Sequence, residues 1–397
     1  MRTTIQSLEM MRLAQLLCVL LGAFGVLTAE PYSAHESART TVASENSGKC
    51  ARCKDRGLRP CANHPKTTAE HEYETEYCSE IENCELCSGL GFIDCTNCEN
   101  EAASTWIQTK KVALAKAPSA LEFIAEGMGR KVLVAQSRHF AIAWDLDKLS
   151  GSKKYKGKHG LMHLYLDRLE GLMESYQSEL GAESKEFKNR LTLLVWDNEE
   201  DQLKASKEFC TEESDKALRL HGGKAKLSLC GSKPFYKDDK DLYQGIVHEF
   251  GHLLPSAQRP ATWVGGLRGG WIDAGFAHWF DYHHLQVCEE VCYNASYYKG
   301  EANPSKWRKS VKRLVAQKKV PELALVMAQN TETMTFEFHL LAFSFVDFLM
   351  EKDSQKFGLL MKRMRARSTS RDALFEAFQF GMDDFETEWK EWVLKTY

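Results

Sequence analysis

Apolar positions recur along this chain with two different periods, and each period predicts a different element. Continuous apolar runs bounded by polar residues are typical of buried strands. These runs are 131–134, 139–144, 191–196 and 225–230. The first two are spaced for a hairpin, and the last is expected at a sheet edge. Apolar residues three and four apart predict helices at 161–180, 198–209, 334–350, 354–365, 371–378 and 383–395. Strands followed by helices favour an α+β fold.

One predicted helix has clear signals at both ends. Acidic residues from Asp238 to Asp241 suit a helix start, an apolar stripe follows, and Pro255 is expected to end the helix. A glycine-rich segment over 255–270 comes next, and a second helix is predicted from Trp271.

The first of these helices carries His248-Glu249-Phe250-Gly251-His252, which is an HExxH pattern. Histidines four apart lie on one face of a helix, so both imidazoles can reach a single zinc ion. The intervening Glu249 can take a proton from a water held there, which makes it the candidate catalytic base. The alternative is a buried helix with two hydrogen-bonded histidines.

The N-terminus predicts export. Two arginines precede an apolar run over 13–27, and Thr28-Ala29 offers a cleavage site, so residues 1–29 are interpreted as a signal peptide. An uncleaved membrane anchor is the alternative, and no later stretch predicts a membrane span. Residues 30–49 are polar and small, as in a flexible linker. The net charge of -3 gives no reason to expect a nucleic-acid partner.

Residues 50–100 form a cysteine-rich module with an internal duplication. The candidate ligands Cys50, Cys53, Cys61 and His64 recur 34 residues later (84 − 50 = 34) as Cys84, Cys87, Cys95 and Cys98. Each repeat offers four donors for one tetrahedral zinc, so two structural zinc sites are expected. Two alternatives stay open: disulfides, which export would favour, and Cys78 in place of His64 as a ligand.

The second repeat resembles the zinc modules of DnaJ-type chaperones. Cys84 to Gly91 reads CxxCxGxG, whereas the first repeat keeps only Gly57 and carries His64 in place of a cysteine. The resemblance covers about 50 residues and implies zinc binding. Chaperone activity is not carried over, because the usual glycines after Cys98 are absent.

The helix from Trp271 resembles the second zinc helix of gluzincin metallopeptidases, the thermolysin-like group. Trp271-Ile272-Asp273-Ala274-Gly275-Phe276-Ala277 follows that family's pattern. The resemblance implies that His248 and His252 are zinc ligands and Glu249 the general base. The family's glutamate ligand falls on Ala274, which cannot bind metal. Asp273 is the preferred substitute third ligand, and His278 is the alternative.

The resemblance implies a thermolysin-like domain over residues 120–397. We therefore expect an exported zinc metallopeptidase with one catalytic-type zinc and a peptide or protein substrate. The alternative is a catalytically impaired homologue that binds peptides or proteins. His339 is expected either near the reacting oxyanion or as a hydrogen-bonded core residue.

Overall fold

A computed structural model describes residues 50, 53, 57–63, 75–97, 101–152, 157–210, 216–221, 224–288 and 304–397. The predicted signal peptide (1–29) and linker (30–49) lie outside these residues, as do His64 and Cys98. The described residues from Cys50 to Tyr397 belong to one compact unit.

The described elements are eight strands and ten α-helices. The strands are β1 (Leu58–Pro60), β2 (Tyr77–Cys78), β3 (Phe92–Asp94), β4 (Val134–Gln136), β5 (Phe140–Trp144), β6 (Leu191–Trp196), β7 (Lys216–Arg219) and β8 (Lys226–Cys230). The helices are α1 (Glu101–Met128), α2 (Gly157–Leu180), α3 (Glu199–Ala205), α4 (Asp239–Ala257), α5 (Gly270–Leu285), α6 (Pro304–Ala316), α7 (Leu323–Met327), α8 (Phe336–Arg365), α9 (Ser370–Phe378) and α10 (Met382–Thr396). This content confirms the α+β class.

Six strands form one mixed sheet in the order β2-β4-β5-β6-β8-β7. The predicted hairpin is confirmed, since β4 pairs with β5 in antiparallel fashion. Strands β5, β6 and β8 are parallel neighbours, and α2 makes the crossover from β5 to β6. β8 is not the edge strand that its sequence predicts, because β7 pairs with its outer side.

The alternating side chains of the sheet enter two separate cores. Phe140, Ile142 and Trp144 of β5 pack into the large core with α2 and α4, while Ala141 and Ala143 face a second core closed by α1. Because both faces of β5 are covered, all five of its residues are buried. The sequence pattern did not predict α1.

Two glycines set the close approach of the three helices around the HExxH segment. A Cβ on Gly251 of α4 would meet the Cα of Ala277 at 2.6 Å, and one on Gly275 of α5 would meet the carbonyl oxygen of Ala342 at 2.5 Å. Both obstacles are mainly backbone, so any larger residue would push the helices apart. This packing brings α4, α5 and α8 together over their histidines.

Two helix ends differ from the sequence prediction. Helix α4 runs past Pro255 to Ala257, because a proline in the last turn removes only one of the helix's hydrogen bonds. The predicted helices 334–350 and 354–365 are one helix, α8, with a kink at Asp353, whose φ is −171° and ψ is 101°. No described helix has the length and apolarity that a membrane crossing requires.

Candidate metal centres

The three chemical groups of the HExxH pattern lie on one buried stretch of α4. His248 is 1%, Glu249 4% and His252 3% exposed. Asp238 caps the N-terminus of α4 by accepting a hydrogen bond from the backbone N–H of Asp241. The helix therefore begins as predicted, and its histidines face α5 and α8.

Asp273, the predicted third ligand, lies beside His252. One of its carboxylate oxygens, Oδ2, is 3.1 Å from Nδ1 of His252. The same oxygen accepts hydrogen bonds from Nε1 of Trp263 at 3.0 Å and from Oγ1 of Thr331 at 2.7 Å. The carboxylate is thus fixed on the Nδ1 side of the imidazole. Nε2 is the nitrogen on the far side of the ring.

Asp281 lies near the other histidine of the pattern, at a longer distance than that between Asp273 and His252. Its Oδ2 lies 4.0 Å from Nδ1 of His248, and its side chain is fully buried on α5. Carboxylates on the Nδ1 side of metal-binding histidines orient the rings and make Nε2 more basic. The sequence reasoning missed Asp281, although its position two turns after Ala274 on the same helix was a usable signal.

The position of the family's glutamate ligand offers nothing to a metal. Ala274 is fully buried in the apolar core. Three described groups of His, Cys or carboxylate donors have ligand atoms within 4.8 Å of one another, and none of them contains His248 or His252. Among the described residues, no third donor therefore groups with the two histidines of the HExxH pattern.

His278, the alternative third ligand, is engaged elsewhere. Its Nε2 lies 3.0 Å from Nδ1 of His339, and its Nδ1 lies 3.3 Å from Sγ of Cys288. Burial, with the neighbouring His339 and His252, holds the pKa of His278 well below its usual value. Burial, with His252 nearby, lowers the pKa of His339 to about 4. Both rings are therefore neutral at physiological pH, and they form a hydrogen-bonded pair behind the HExxH face.

The cysteine-rich module brings its ligands together across the two repeats. One group contains Cys50, Cys53 and Cys95, and the other contains Cys61, Cys84 and Cys87. Sγ of Cys50 lies 3.9 Å from that of Cys95, and Sγ of Cys61 lies 3.7 Å from that of Cys84. These groups could hold metal ions. The prediction that each repeat encloses its own zinc does not match this grouping.

The antiparallel pairing of β1 with β3 explains why each cysteine group contains residues from both repeats. Leu58 pairs with Asp94 and Pro60 with Phe92. The backbone N–H of Cys61 donates to the carbonyl of Gly91 at 2.9 Å, and that of Cys95 donates to Gly57 at 2.8 Å. The end of β1 therefore lies beside the start of β3, and the end of β3 lies beside the start of β1. Cys50 and Cys53 of the first repeat thus lie with Cys95 of the second, and Cys84 and Cys87 of the second lie with Cys61 of the first.

The sulfur separations fit metal ligation and do not fit disulfides. Two sulfurs on one tetrahedral zinc are about 3.8 Å apart, given Zn–S bonds of about 2.3 Å, whereas bonded sulfurs are about 2.05 Å apart. Burial and the neighbouring thiols of Cys84 and Cys87 raise the pKa of Cys61 to about 11. A bound cation reverses that preference, because thiols that coordinate a metal are deprotonated.

A third group of donors was not predicted as a site. Cys78, His159 and His163 are all buried, and their ligand atoms lie within 4.8 Å of one another. Cys78 therefore does not stand with Cys61, Cys84 and Cys87, where it could have replaced His64. The missed signal was the spacing of His159 and His163, four apart at the start of α2, although only His163 falls within the predicted helix 161–180.

No known protein-family profile and no curated protein matches this chain.

Proposed function

We propose that residues 120–397 form a zinc metallopeptidase domain of the gluzincin type, with a peptide or protein substrate. His248 and His252 would hold the zinc through Nε2, and Glu249 would accept a proton from the attacking water. A bound zinc would supply a Lewis acid for the peptide carbonyl and lower the pKa of that water. The residues of the chain orient the ligands and provide the base.

The observation that carries this proposal is the pair of buried aspartates on the Nδ1 side of the two histidines. A carboxylate buried in an apolar core is costly unless a cation or hydrogen bonds stabilise it. Asp273 and Asp281 are 2% and 0% exposed, and each faces one histidine of the HExxH pattern. A carboxylate beside Nδ1 of His252 is the arrangement that orients metal-binding histidines.

This geometry changes the proposed role of Asp273 from ligand to positioning residue. Its Oδ2 faces Nδ1 of His252 and is already hydrogen-bonded by Trp263 and Thr331. The third protein ligand is then missing at Ala274, and the expected zinc affinity is lower than in a site with two histidines and a glutamate.

The second candidate function is a catalytically impaired homologue that binds peptides or proteins. Two observations favour it: the alanine at position 274 and the deep burial of the whole histidine cluster. His248, His252, His278 and His339 are each at most 3% exposed. Such a domain would keep the fold and bind peptides without hydrolysing them.

For the cysteine-rich module we propose two structural zinc ions. Cys50, Cys53 and Cys95 would share one ion with Cys98, and Cys61, Cys84 and Cys87 would share the other with His64. Each set is then a closed four-ligand site, without an open position for catalysis. We further propose that the protein is exported, on the strength of the predicted signal peptide.

The proposal is tested by incubating the zinc-loaded full chain with a broad peptide library and identifying products by mass spectrometry. We expect hydrolysis that a chelator abolishes and Glu249→Gln removes. Glu332→Gln, which changes an exposed glutamate near α8, is the control and should leave activity unchanged. If the folded wild type yields no products but retains peptides on a column, the second candidate is supported.

A further inference from the structure

We propose that Cys78, His159 and His163 form a further zinc site, separate from the HExxH helix and from the two cysteine groups of the cysteine-rich module. Among the described residues, these side chains bring one thiol and two imidazoles within 4.8 Å of one another. This inference does not depend on the proposed peptidase activity.

The three donors come from two elements that the fold holds firmly together. Cys78 ends β2, the edge strand of the main sheet, and its backbone pairs with Ala135. His159 and His163 lie one turn apart on α2, with ring centroids 4.4 Å apart. Sγ of Cys78 lies 4.0 Å from Nδ1 of His159. All three side chains are 1–3% exposed, so the ligands are already shielded from water.

Two further residues complete the surroundings that a zinc site needs. Oε2 of Glu80 lies 2.5 Å from Nδ1 of His159, and this contact orients the first ring. Oγ1 of Thr75 lies 2.6 Å from Nδ1 of His163. That hydrogen bond fixes the second ring, whose Nε2 would bind the metal. One thiolate and two imidazoles are donor types that zinc prefers.

The position of the site suggests what the ion would do. β2 contributes only two residues to the sheet, and so short a pairing is a weak attachment. Residues 75–80 lie between the two cysteine-rich repeats and contain β2, so a zinc bound to Cys78 would fasten this segment to α2. The side chain of Glu80 is 41% exposed, which gives the ion a path from solvent.

The first test counts zinc in the full chain by native mass spectrometry and elemental analysis. The variant Cys78→Ser and the double variant His159→Ala with His163→Ala should each bind about one zinc less than the wild type. Cys230→Ser is the matched control, because Cys230 is equally buried in β8 of the same sheet. It should retain the wild-type zinc content. Folded variants with unchanged zinc content would overturn the proposal.

The second test keeps the proposal decidable if those variants fail to fold. The wild-type chain is labelled with N-ethylmaleimide with and without added zinc, and modification is mapped by peptide mass spectrometry. Zinc should slow the modification of Cys78 by about tenfold or more, since a ligated thiolate is a poor nucleophile. Cys230 reports any general opening of the sheet and should not respond. Equal labelling of Cys78 under both conditions would show that burial alone protects it, and would overturn the proposal.

Discussion

The carboxylate of Asp273 lies 3.1 Å from Nδ1 of His252, one position before Ala274, where the resemblance to gluzincins places that family's glutamate ligand. The contact joins the HExxH helix to the helix that follows it. Asp273 has two candidate roles, zinc ligand or orienting group for His252. The two roles predict different responses to the same substitution.

Asp273→Asn is expected to weaken zinc binding at the HExxH site by about 10–100-fold without abolishing it. The amide keeps the shape of the carboxylate but loses its charge toward His252. Competition against a calibrated chelator measures the affinity, with the sites elsewhere in the chain already filled. Complete loss of zinc from this site would instead identify Asp273 as a ligand and contradict the positioning role.

Ala274→Glu is expected to make stability depend on zinc. A glutamate at this fully buried position should destabilise the metal-free protein by a few kcal/mol, roughly the penalty for an unpaired polar group. Zinc should reverse the loss, since the new carboxylate reaches the position of the family's ligand.

The control for that substitution is Ala274→Gln, which has nearly the same shape and no charge. Thermal unfolding with zinc and with a chelator gives the comparison. Zinc should raise the melting temperature of the glutamate variant more than that of the glutamine variant or the wild type. Equal shifts in all three proteins would mean that position 274 does not face the metal.

Gly251→Ala is expected to destabilise the fold by about 1–3 kcal/mol and to lower zinc affinity at the HExxH site. The added Cβ would lie 2.6 Å from the Cα of Ala277, which is backbone and cannot turn aside. Gly171→Ala is the control, because nothing lies within 4 Å of a Cβ at that exposed helical position. It should stabilise by about 0.5–1 kcal/mol. Denaturant unfolding measures both, and equal effects would contradict the account of the helix contact.

Because each cysteine group contains residues from both repeats, the number of zinc ions lost in a double variant depends on which two cysteines are replaced. Cys50→Ser with Cys95→Ser removes two ligands from one group and should cost about one zinc per chain. Cys50→Ser with Cys61→Ser removes one ligand from each group and should cost about two. Native mass spectrometry of the intact chain gives the counts, and the reverse pattern would indicate that each repeat holds its own ion.

Local patterns predicted much of the fold. Strands β5, β6 and β8 and helices α2, α5, α9 and α10 follow from apolar spacing, because tertiary packing reinforces what their sequences favour. Helix α1 did not emerge from the sequence, since Pro118 interrupts it and only four positions, such as Leu121 and Ile124, face the second core. The edge position of β7 depends on strand order, which no local pattern contains.

The site residues likewise divide into those that local patterns predict and those that depend on long-range packing. The HExxH residues and the paired cysteines are local motifs and could be named from spacing. The position of Asp281 near His248, the grouping of cysteines from both repeats, and the meeting of Cys78 with α2 are long-range relationships. They depend on how helices and strands come together, and a single sequence does not encode them in any spacing.

The central claim is that His248 and His252 hold a zinc through Nε2 while carboxylates support them from the other side of each ring. Anomalous diffraction at the zinc edge, from crystals of the zinc-loaded full chain, tests it most directly. We predict a peak between the two imidazoles, about 2.0–2.1 Å from each Nε2, with Asp273 remaining on Nδ1 of His252. Zinc at the cysteine groups without any peak between His248 and His252 would contradict the claim.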